Sequence, residues 1–465
     1  MQTRLKDQLP TLLVAVLAGT FGVTLLHVTG LLAAAISADD VTGESDTVAL
    51  MLGIVAGVFV VIAVYVSAIV TANTVSTVVA GRTRLIALLR LIGSSARGER
   101  ARIAREGLLV GLIGAVAGMV LGTAAAFGLQ RYAELTGLMP ETSYDYLNPA
   151  VVLPAIAVVL TTWLASWVGS RRVLRVRPIQ AIGNSHEQDR EELGSRRGRN
   201  ATALVLVLVG AALLVAGIIW GFDEPYGVLV AMVGGILSFT GIVLAAQVVM
   251  PPVLRLVGRL LGPSPAARLA AENAVRHPER SSRMTIGLVI GVTLVTTFAV
   301  TMQSYRELLL AAQEVQPEVY AGIDEMLNVT VAVFSVLIGF SALIAAIGMV
   351  NTLSLSVLQR TRELGLLRAL GFDRRQLRGM IVAEAAALTV AATLTGIVLG
   401  FVYGWAGAQA LLGGAQGEPA IVLPGIPWVM FGVLAVAAGV LTLVASIAPA
   451  RRAMRVAPVV ALAAD

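Results

Sequence analysis

The chain has 465 residues, of which 57% are hydrophobic and 13% charged, and its mean hydropathy is +0.85. No soluble fold can bury that much apolar surface, so the composition indicates an integral membrane protein. The sequence has no Cys and its three His residues are scattered, which excludes disulfides and metal sites made of Cys or clustered His. The net charge is +6, but the basic residues flank apolar segments and form no nucleic-acid-binding face.

Ten apolar stretches are long enough, or nearly so, to cross a hydrocarbon core of about 30 Å as helices. They are residues 10–36, 49–78, 107–130, 149–170, 201–220, 227–250, 284–305, 327–356, 381–406 and 425–449. The sequence therefore predicts an all-α integral membrane protein of about ten transmembrane helices. The outer connections are short, so we expect no large extracytoplasmic domain.

The distribution of basic residues predicts the orientation of these helices. With the N-terminus in the cytoplasm, 32 of the 34 Lys and Arg residues fall in cytoplasmic segments, and only Arg131 and Arg306 fall outside. The positive-inside rule then places both termini of a multi-pass protein on the cytoplasmic side of the membrane, which we expect to be a bacterial inner (plasma) membrane.

The sequence contains an internal duplication. The matching groups, 278 residues apart, are Arg82-Thr83-Arg84 with Arg360-Thr361-Arg362, Leu88-Leu89-Arg90 with Leu366-Leu367-Arg368, Gly93 with Gly371, and Gly118 and Gly122 with Gly396 and Gly400. The pattern predicts two parallel four-helix units, because six spans separate equivalent points. The predicted divisions are a first unit at 1–182, a cytoplasmic linker at 183–200, a two-span connector at 201–262 and a second unit with a leading amphipathic helix at 263–465.

The duplicated cytoplasmic segment has the pattern of a short amphipathic helix. In the second copy Leu364, Leu367 and Leu370 recur at helical spacing, Gly371 is placed to end the helix in a left-handed conformation, and Asp373 is placed to cap the next helix. Such a helix suits docking of a cytoplasmic partner. The alternative is a basic interfacial helix that only anchors to lipid headgroups.

Glycines recur every four residues in the third and ninth predicted spans. These are Gly114, Gly118, Gly122, Gly396, Gly400 and Gly404. Such stripes let two helices approach closely, so we interpret them as helix-packing sites, and a sliding interface during transport would use the same pattern.

The sequence has no G-x-x-x-x-G-K-[ST] phosphate-binding motif and no Ser-His-Asp or paired-carboxylate constellation. We therefore expect a non-enzymatic chain that binds no cofactor or metal of its own. The absence of Asp and Glu deep in the apolar stretches also argues against an ion-coupled secondary transporter.

The segment RTRELGLLRALG, the Arg-rich turn that leads to Glu384, and the closing PARRAMRVAPVVAL resemble the FtsX-like permease domain of the MacB and LolC/LolE class of ABC transporters. The resemblance covers both four-span units. It implies a partner ATPase dimer that binds ATP and Mg, a lipid-embedded permease, and export or extraction of a hydrophobic or amphipathic substrate, with no nucleic acid. The implied ATPase-coupling residues are Arg82, Arg84, Leu88, Leu89, Arg90, Gly93, Arg360, Arg362, Glu363, Leu366, Leu367, Arg368 and Gly371.

Two related functions stay open from the sequence. An FtsX-type mechanotransmitter would move an outer loop to activate a cell-wall hydrolase, and a sensing or resistance permease would respond to antimicrobial peptides. The short outer connections argue against both, because each usually needs a larger outer domain.

Overall fold

Long α-helices account for most of the described part of the chain. The computed structural model describes residues 2–37, individual residues between 57 and 75, and residues 87–89, 91–137, 143–171, 197–260, 272, 275, 278–315, 371, 373–414 and 420–455, among which no strand occurs. The helices are α1 (Gln2–Ser37), α2 (Ala96–Leu135), α3 (Val152–Gly169), α4 (Arg197–Trp220), α5 (Gly227–Leu260), α6 (Pro278–Val315), α7 (Arg374–Leu412) and α8 (Trp428–Arg455). A 3-10 turn at Pro149–Val151 leads into α3.

Seven of these helices are long and apolar enough to cross a membrane, namely α1 to α7. They coincide with the predicted spans one, three to seven and nine. The helix α8 coincides with the predicted tenth span, and the part of it whose side chains the structure describes, Trp428–Leu443, is apolar. The predicted second span is described only at individual residues and the predicted eighth lies outside the described residues, so the count of ten stays a prediction.

The helices pack in three groups. One group consists of α1, α2 and α3, a second of α4 and α5, and a third of α6, α7 and α8. The helix α6 is buried over most of its apolar stretch, and a shared core joins it to Phe21 and Leu25 of α1 and to Met250 and Leu254 of α5. By contrast α4 leaves most of its apolar surface exposed, as expected of a helix that faces lipid.

The helices α2 and α7 begin in the same way, at positions that the duplication makes equivalent. Gly93 and Gly371 have φ angles of 102° and 99°, a backbone conformation that glycine adopts without steric cost. Two residues later Ser95 and Asp373 cap the helices by accepting hydrogen bonds from Gly98 N and Gln376 N. The predicted left-handed Gly371 and the predicted cap at Asp373 are therefore confirmed.

The helices α4 and α5 form a hairpin whose glycines recur every seven residues. A Cβ added at Gly217 would lie 2.5 Å from Ala231 N, one at Gly210 would lie 2.3 Å from Ser238 N, and one at Gly241 would lie 2.7 Å from Ala203 O. The two backbones are thus in direct contact. The hairpin tip is also fixed to α7, because a Cβ at Gly221 would meet the backbone of Ala410 at 2.4 Å.

The cap of α7 provides a test of its local stability. Asp373 Oδ1 accepts from Gln376 N at 2.6 Å, and Gln376 Oε1 accepts from Asp373 N at 3.0 Å. We expect Asp373→Ala to lower the free energy of unfolding by about 1 kcal/mol, because two backbone N–H groups lose their partners or their geometry. Thermal unfolding of the detergent-purified protein measures the change. Asp373→Asn keeps an acceptor oxygen and should stay near the wild type, so an equal loss in both variants would contradict the capping explanation.

Candidate functional site

Of the predicted coupling residues, the structure describes Leu88, Leu89 and Gly93 in the first copy and Gly371 in the second. Leu88 is helical and 47% exposed, and the following Leu91 and Ile92 are also exposed. This places an uncovered apolar face just before the turn at Gly93. The other coupling predictions, at Arg82, Arg84, Arg90, Arg360, Arg362, Glu363, Leu366, Leu367 and Arg368, lie outside the described residues.

One arginine joins the start of α2 to the end of α3. The Arg100 guanidinium lies 3.8 Å from the centroid of the Trp167 ring and donates two hydrogen bonds to Trp167 O, at 3.1 and 3.2 Å. A cation over an aromatic face with backbone hydrogen bonds is a specific contact. The end of α3 is therefore in contact with the first turns of α2, next to the segment predicted to dock a partner.

The glycine stripe of α2 lies against α1. A Cβ added at Gly114 would lie 2.5 Å from Ala15 Cβ, one at Gly118 would lie 2.7 Å from the backbone of Gly19, and one at Gly122 would lie 2.7 Å from Val23 Cβ. Real Cβ atoms do not approach other atoms this closely. The two helices are thus in contact through their backbones over two turns.

The glycine stripe of α7 makes the same contact with α6. Cβ atoms added at Gly396 and Gly400 would lie 2.6 Å from Val292 Cβ and 2.5 Å from Thr296 Cβ, and one at Gly404 would lie 2.6 Å from Thr297 O. Both stripes therefore contact the first helix of their own copy.

A threonine hydroxyl reinforces each of these interfaces. Thr24 Oγ1 donates to Gly122 O at 3.2 Å in the first copy, and Thr301 Oγ1 donates to Gly404 O at 3.0 Å in the second. The two helices of the pair are farther apart along the chain in the second copy than in the first. Gly118 lies 99 residues after Gly19, which it contacts, and Gly396 lies 104 residues after Val292, which it contacts. The same helix pair thus accommodates five extra residues between its two helices.

An aromatic cluster packs at the far end of the first copy, which is the outer end in the predicted topology. The fully buried His27 lies 5.1 Å from the Tyr146 ring and 5.8 Å from the Tyr144 ring, and its Nε2 pairs with Thr123 Oγ1 at 3.2 Å. The structure buries His27 under the connection between α2 and α3. Burial, assisted by Asp145, raises the pKa of Tyr144. The Tyr146 phenol, whose pKa burial also raises, donates to Gln130.

The equivalent connection of the second copy, residues 420–427, is held by hydrogen bonds to α6 and α7. Gln409 donates from Nε2 to Ala420 O at 2.9 Å and accepts from Val422 N at 2.7 Å. Trp405 Nε1 donates to Val422 O at 3.0 Å, and Gly425 N donates to Ser304 Oγ at 3.0 Å. Both connections are therefore tied to the helix pair beneath them.

An apolar, partly open cavity of about 190 Å³ lies between the α4–α5 hairpin, α6, α7 and the predicted second span. Its walls come from α4 and α5, from α6, from α7, and from the helical residues Val58, Ile62 and Tyr65 of the predicted second span. None of the lining residues that the structure describes is charged. Two lining glycines, Gly235 and Gly407, have room for a side chain. An added Cβ would meet nothing within 4 Å at Gly235, and at Gly407 it would meet only Thr301 Oγ1, at 3.9 Å.

The polar groups of the cavity wall are few. Tyr65 Oη pairs with Thr240 Oγ1 at 2.7 Å, and Tyr403 Oη pairs with Ser238 Oγ at 3.0 Å. Sequence reasoning missed this site, because its residues come from four separate segments. The signal available in the sequence was a tyrosine within each of the second and ninth predicted spans, Tyr65 and Tyr403. The structure shows that both rings contact Phe239 of the connector.

The model of the FtsX-like permease C-terminal domain matches the chain twice, at residues 57–178 and 335–458. Together the matches cover more than half of the chain. The chain belongs to the FtsX-like permease family. The two matches contain α2 with α3 and α7 with α8, and they leave α1, α4, α5 and α6 outside. The FtsX-like permease domain thus occurs here in two copies separated by other helices.

Several curated proteins are similar to parts of this chain. An uncharacterized ABC transporter permease, YknZ, of Bacillus subtilis is 31% identical over 105 residues, 23% of this chain and 25% of YknZ. The macrolide export ATP-binding/permease protein MacB of Bdellovibrio bacteriovorus is 31% identical over 146 residues, 30% of this chain and 21% of that protein. The pyoverdine export ATP-binding/permease protein PvdT of Pseudomonas putida is 34% identical over 129 residues, 27% of this chain and 18% of that protein. The alignment therefore spans a quarter or less of each of these relatives.

The α1–α2 interface provides a matched pair of glycine variants. We expect Gly118→Ala to lower the free energy of unfolding by about 1–3 kcal/mol, because its Cβ would overlap the Gly19 backbone, which has no flexible end to move aside. Gly128 lies on the same helix and its Cβ would meet nothing within 4 Å, so Gly128→Ala should be neutral or stabilise α2 by up to about 1 kcal/mol. Thermal unfolding, monitored by size-exclusion chromatography, compares the two variants. A Gly118→Ala protein as stable as Gly128→Ala would contradict the close contact.

Proposed function

We propose that this chain is the transmembrane permease of an ABC transporter, in which a separate ATPase subunit hydrolyses ATP and the permease exports or extracts a hydrophobic or amphipathic substrate from the membrane. The main support for this proposal is the double match to the FtsX-like permease domain. The names of the relatives agree with this proposal, since YknZ is named as an ABC transporter permease, and MacB and PvdT as export ATP-binding/permease proteins.

The proposed coupling sites are the two duplicated segments Arg82–Gly93 and Arg360–Gly371. Each segment ends at a left-handed glycine and continues, after a capped turn, into α2 or α7. Since α2 and α7 contact α1 and α6 through their backbones, a displacement of either segment would move a helix pair as a unit. Closure of an ATPase dimer beneath the permease would thereby change the distance between the two copies.

The proposed substrate class rests on the chemistry of the described interior. Among the described residues that line the cavity none is charged, and the polar groups are hydroxyls of tyrosine and threonine. Such a wall favours an apolar molecule or the apolar part of an amphipathic one over an ion or a sugar. A drug, a peptide or a lipid each has such a part.

Co-purification with ATPases of the same genome tests the coupling proposal. We expect one ATPase to bind the wild-type chain, and the double variant Glu363→Ala with Arg368→Ala to lose this binding or its transport-linked ATP hydrolysis, because both charged side chains lie in the proposed docking segment. The control is Arg131→Ala with Glu134→Ala, which removes an acid–base pair of the same net charge, joined at 3.0 Å near the opposite end of α2. An ATPase that binds both double variants equally would contradict the assignment of the coupling segment, and no binding to the wild type would contradict the permease proposal.

The proposed orientation places both termini and the turn before α2 in the cytoplasm. Because the sequence has no Cys, single cysteines report topology without background. We expect Ser143→Cys, in the exposed connection between α2 and α3, to react with a membrane-impermeant maleimide in intact cells, and Arg97→Cys, exposed in the first turn of α2, to react only after permeabilisation. The reverse pattern would contradict the proposed orientation.

A further inference from the structure

We infer that the cavity between α5, α6 and α7 is a binding site for a short alkyl chain or a single aromatic ring that adjoins an uncharged hydrogen-bonding group, with the hydroxyl of Thr293 as its polar contact. This inference rests on the proposed permease function, whose substrate it specifies. The site is built from four separate segments of the chain. Four observations support the inference.

The size of the cavity sets the size of the bound group. Its volume is about 190 Å³, whereas an engineered apolar cavity of about 150 Å³ stays dry and binds benzene. The cavity therefore accommodates one ring or a few methylene groups, and not a complete lipid or macrocycle. Because the cavity is partly open, the rest of a larger molecule can remain outside it.

The lining also determines the chemistry of the bound group. Its surface consists mainly of apolar side chains from α5 and α6, among them Ile236, Phe239, Ile290 and Leu294. A charged group placed there would lose its hydration without gaining a partner of opposite charge among the described lining residues. The bound group is therefore uncharged.

One hydroxyl of the wall lacks a partner. Thr293 is 5% exposed, and among the described residues its Oγ1 has no hydrogen-bond partner. The two tyrosine hydroxyls of the wall are already paired with Thr240 and Ser238, and Thr301 already donates to Gly404 O. A buried hydroxyl without a partner is unfavourable. Since Oγ1 is covered and Thr293 lines the cavity through its other atoms, a ligand that supplies a hydroxyl, ester or amide group gains this hydrogen bond once the Thr293 side chain turns about χ1.

The walls of this site lie partly outside the segments that match the family model. Thr293 and the connector residues Gly235 and Phe239 lie outside both family matches, whereas Tyr65 and Tyr403 lie inside them. The connector α4–α5 and α6 therefore provide a wall on which the specificity of this chain depends. Of the labelled helices inside the family matches, α7 lines the cavity, and its proposed displacement would change the shape of the site.

A photoreactive probe tests this inference. The full chain, reconstituted in lipid nanodiscs without an ATPase, is exposed to an octanol that carries a diazirine on its alkyl chain, or to the same diazirine alkane without the hydroxyl. Labelled peptides are then mapped by mass spectrometry. We expect saturable labelling of peptides that contain Ile236 and Phe239 or Ile290 and Leu294, suppressed by excess unlabelled octanol. Labelling of lipid-facing residues on α4 should rise linearly with probe and serves as the reference.

Variants of opposite walls provide the controls. Gly235→Leu on α5 and Gly407→Leu on α7 fill the cavity where an added Cβ meets no close atom, and each should abolish the saturable labelling. Gly128→Leu on α2, which also faces open space away from the cavity, should leave it unchanged. Thr293→Val keeps the shape of the side chain and removes the hydroxyl. It should remove the preference of the wild type for the alcohol over the alkane, which we expect to be about three- to tenfold.

Each outcome bears on a different claim. Linear labelling of the cavity peptides, or saturable labelling that survives both leucine variants, would overturn the site, even where an ATPase binds the chain. An unchanged preference for the alcohol in Thr293→Val would overturn the role of that hydroxyl. Saturable labelling in a chain that binds no ATPase would leave the site standing and would count against the ATP-driven permease.

Discussion

Direct contact between helix backbones is the constraint on which this structure depends. In a bilayer the hydrophobic effect does not drive one helix onto another, so association relies on close packing and hydrogen bonds. Glycine makes such packing possible between α1 and α2, between α4 and α5, and between α6 and α7. At each interface a single methyl group would overlap the neighbouring helix. Three stable helix pairs result, and the remaining helices pack around them.

Glycine has the opposite effect at the cavity. Gly235 and Gly407 have no close neighbour on the side where a Cβ would point, so they leave space where the helix pairs adjoin. The same residue type thus permits contact within a pair and leaves a gap between pairs. A cavity between rigid units has a volume that changes when the units move, and this links the site to the proposed displacement of α7.

The lengths of α2 and α7 connect the membrane interior with the cytoplasmic turns. Helices of 40 and 39 residues extend about 60 Å at 1.5 Å per residue, twice a hydrocarbon core of about 30 Å. Each begins with a capped, Arg-rich turn and carries its glycine stripe in the middle. A continuous helix transmits a displacement at its capped end to the stripe without a flexible joint. Arg100, held against Trp167, extends this movement to α3.

The sequence by itself determined the class of protein, the positions of the spans that the structure describes, the duplication and the start of α7. Those features depend on local patterns: apolar length, an offset of 278 residues, a glycine before Asp373, and a cap three residues before Gln376. Only the tertiary structure decided which helix each glycine stripe contacts, that His27 is buried under Tyr144 and Tyr146, and that Tyr65, Thr293 and Tyr403 share one cavity. These relations join residues up to hundreds of positions apart, and hydrophobic periodicity reports that a face is apolar without specifying its partner.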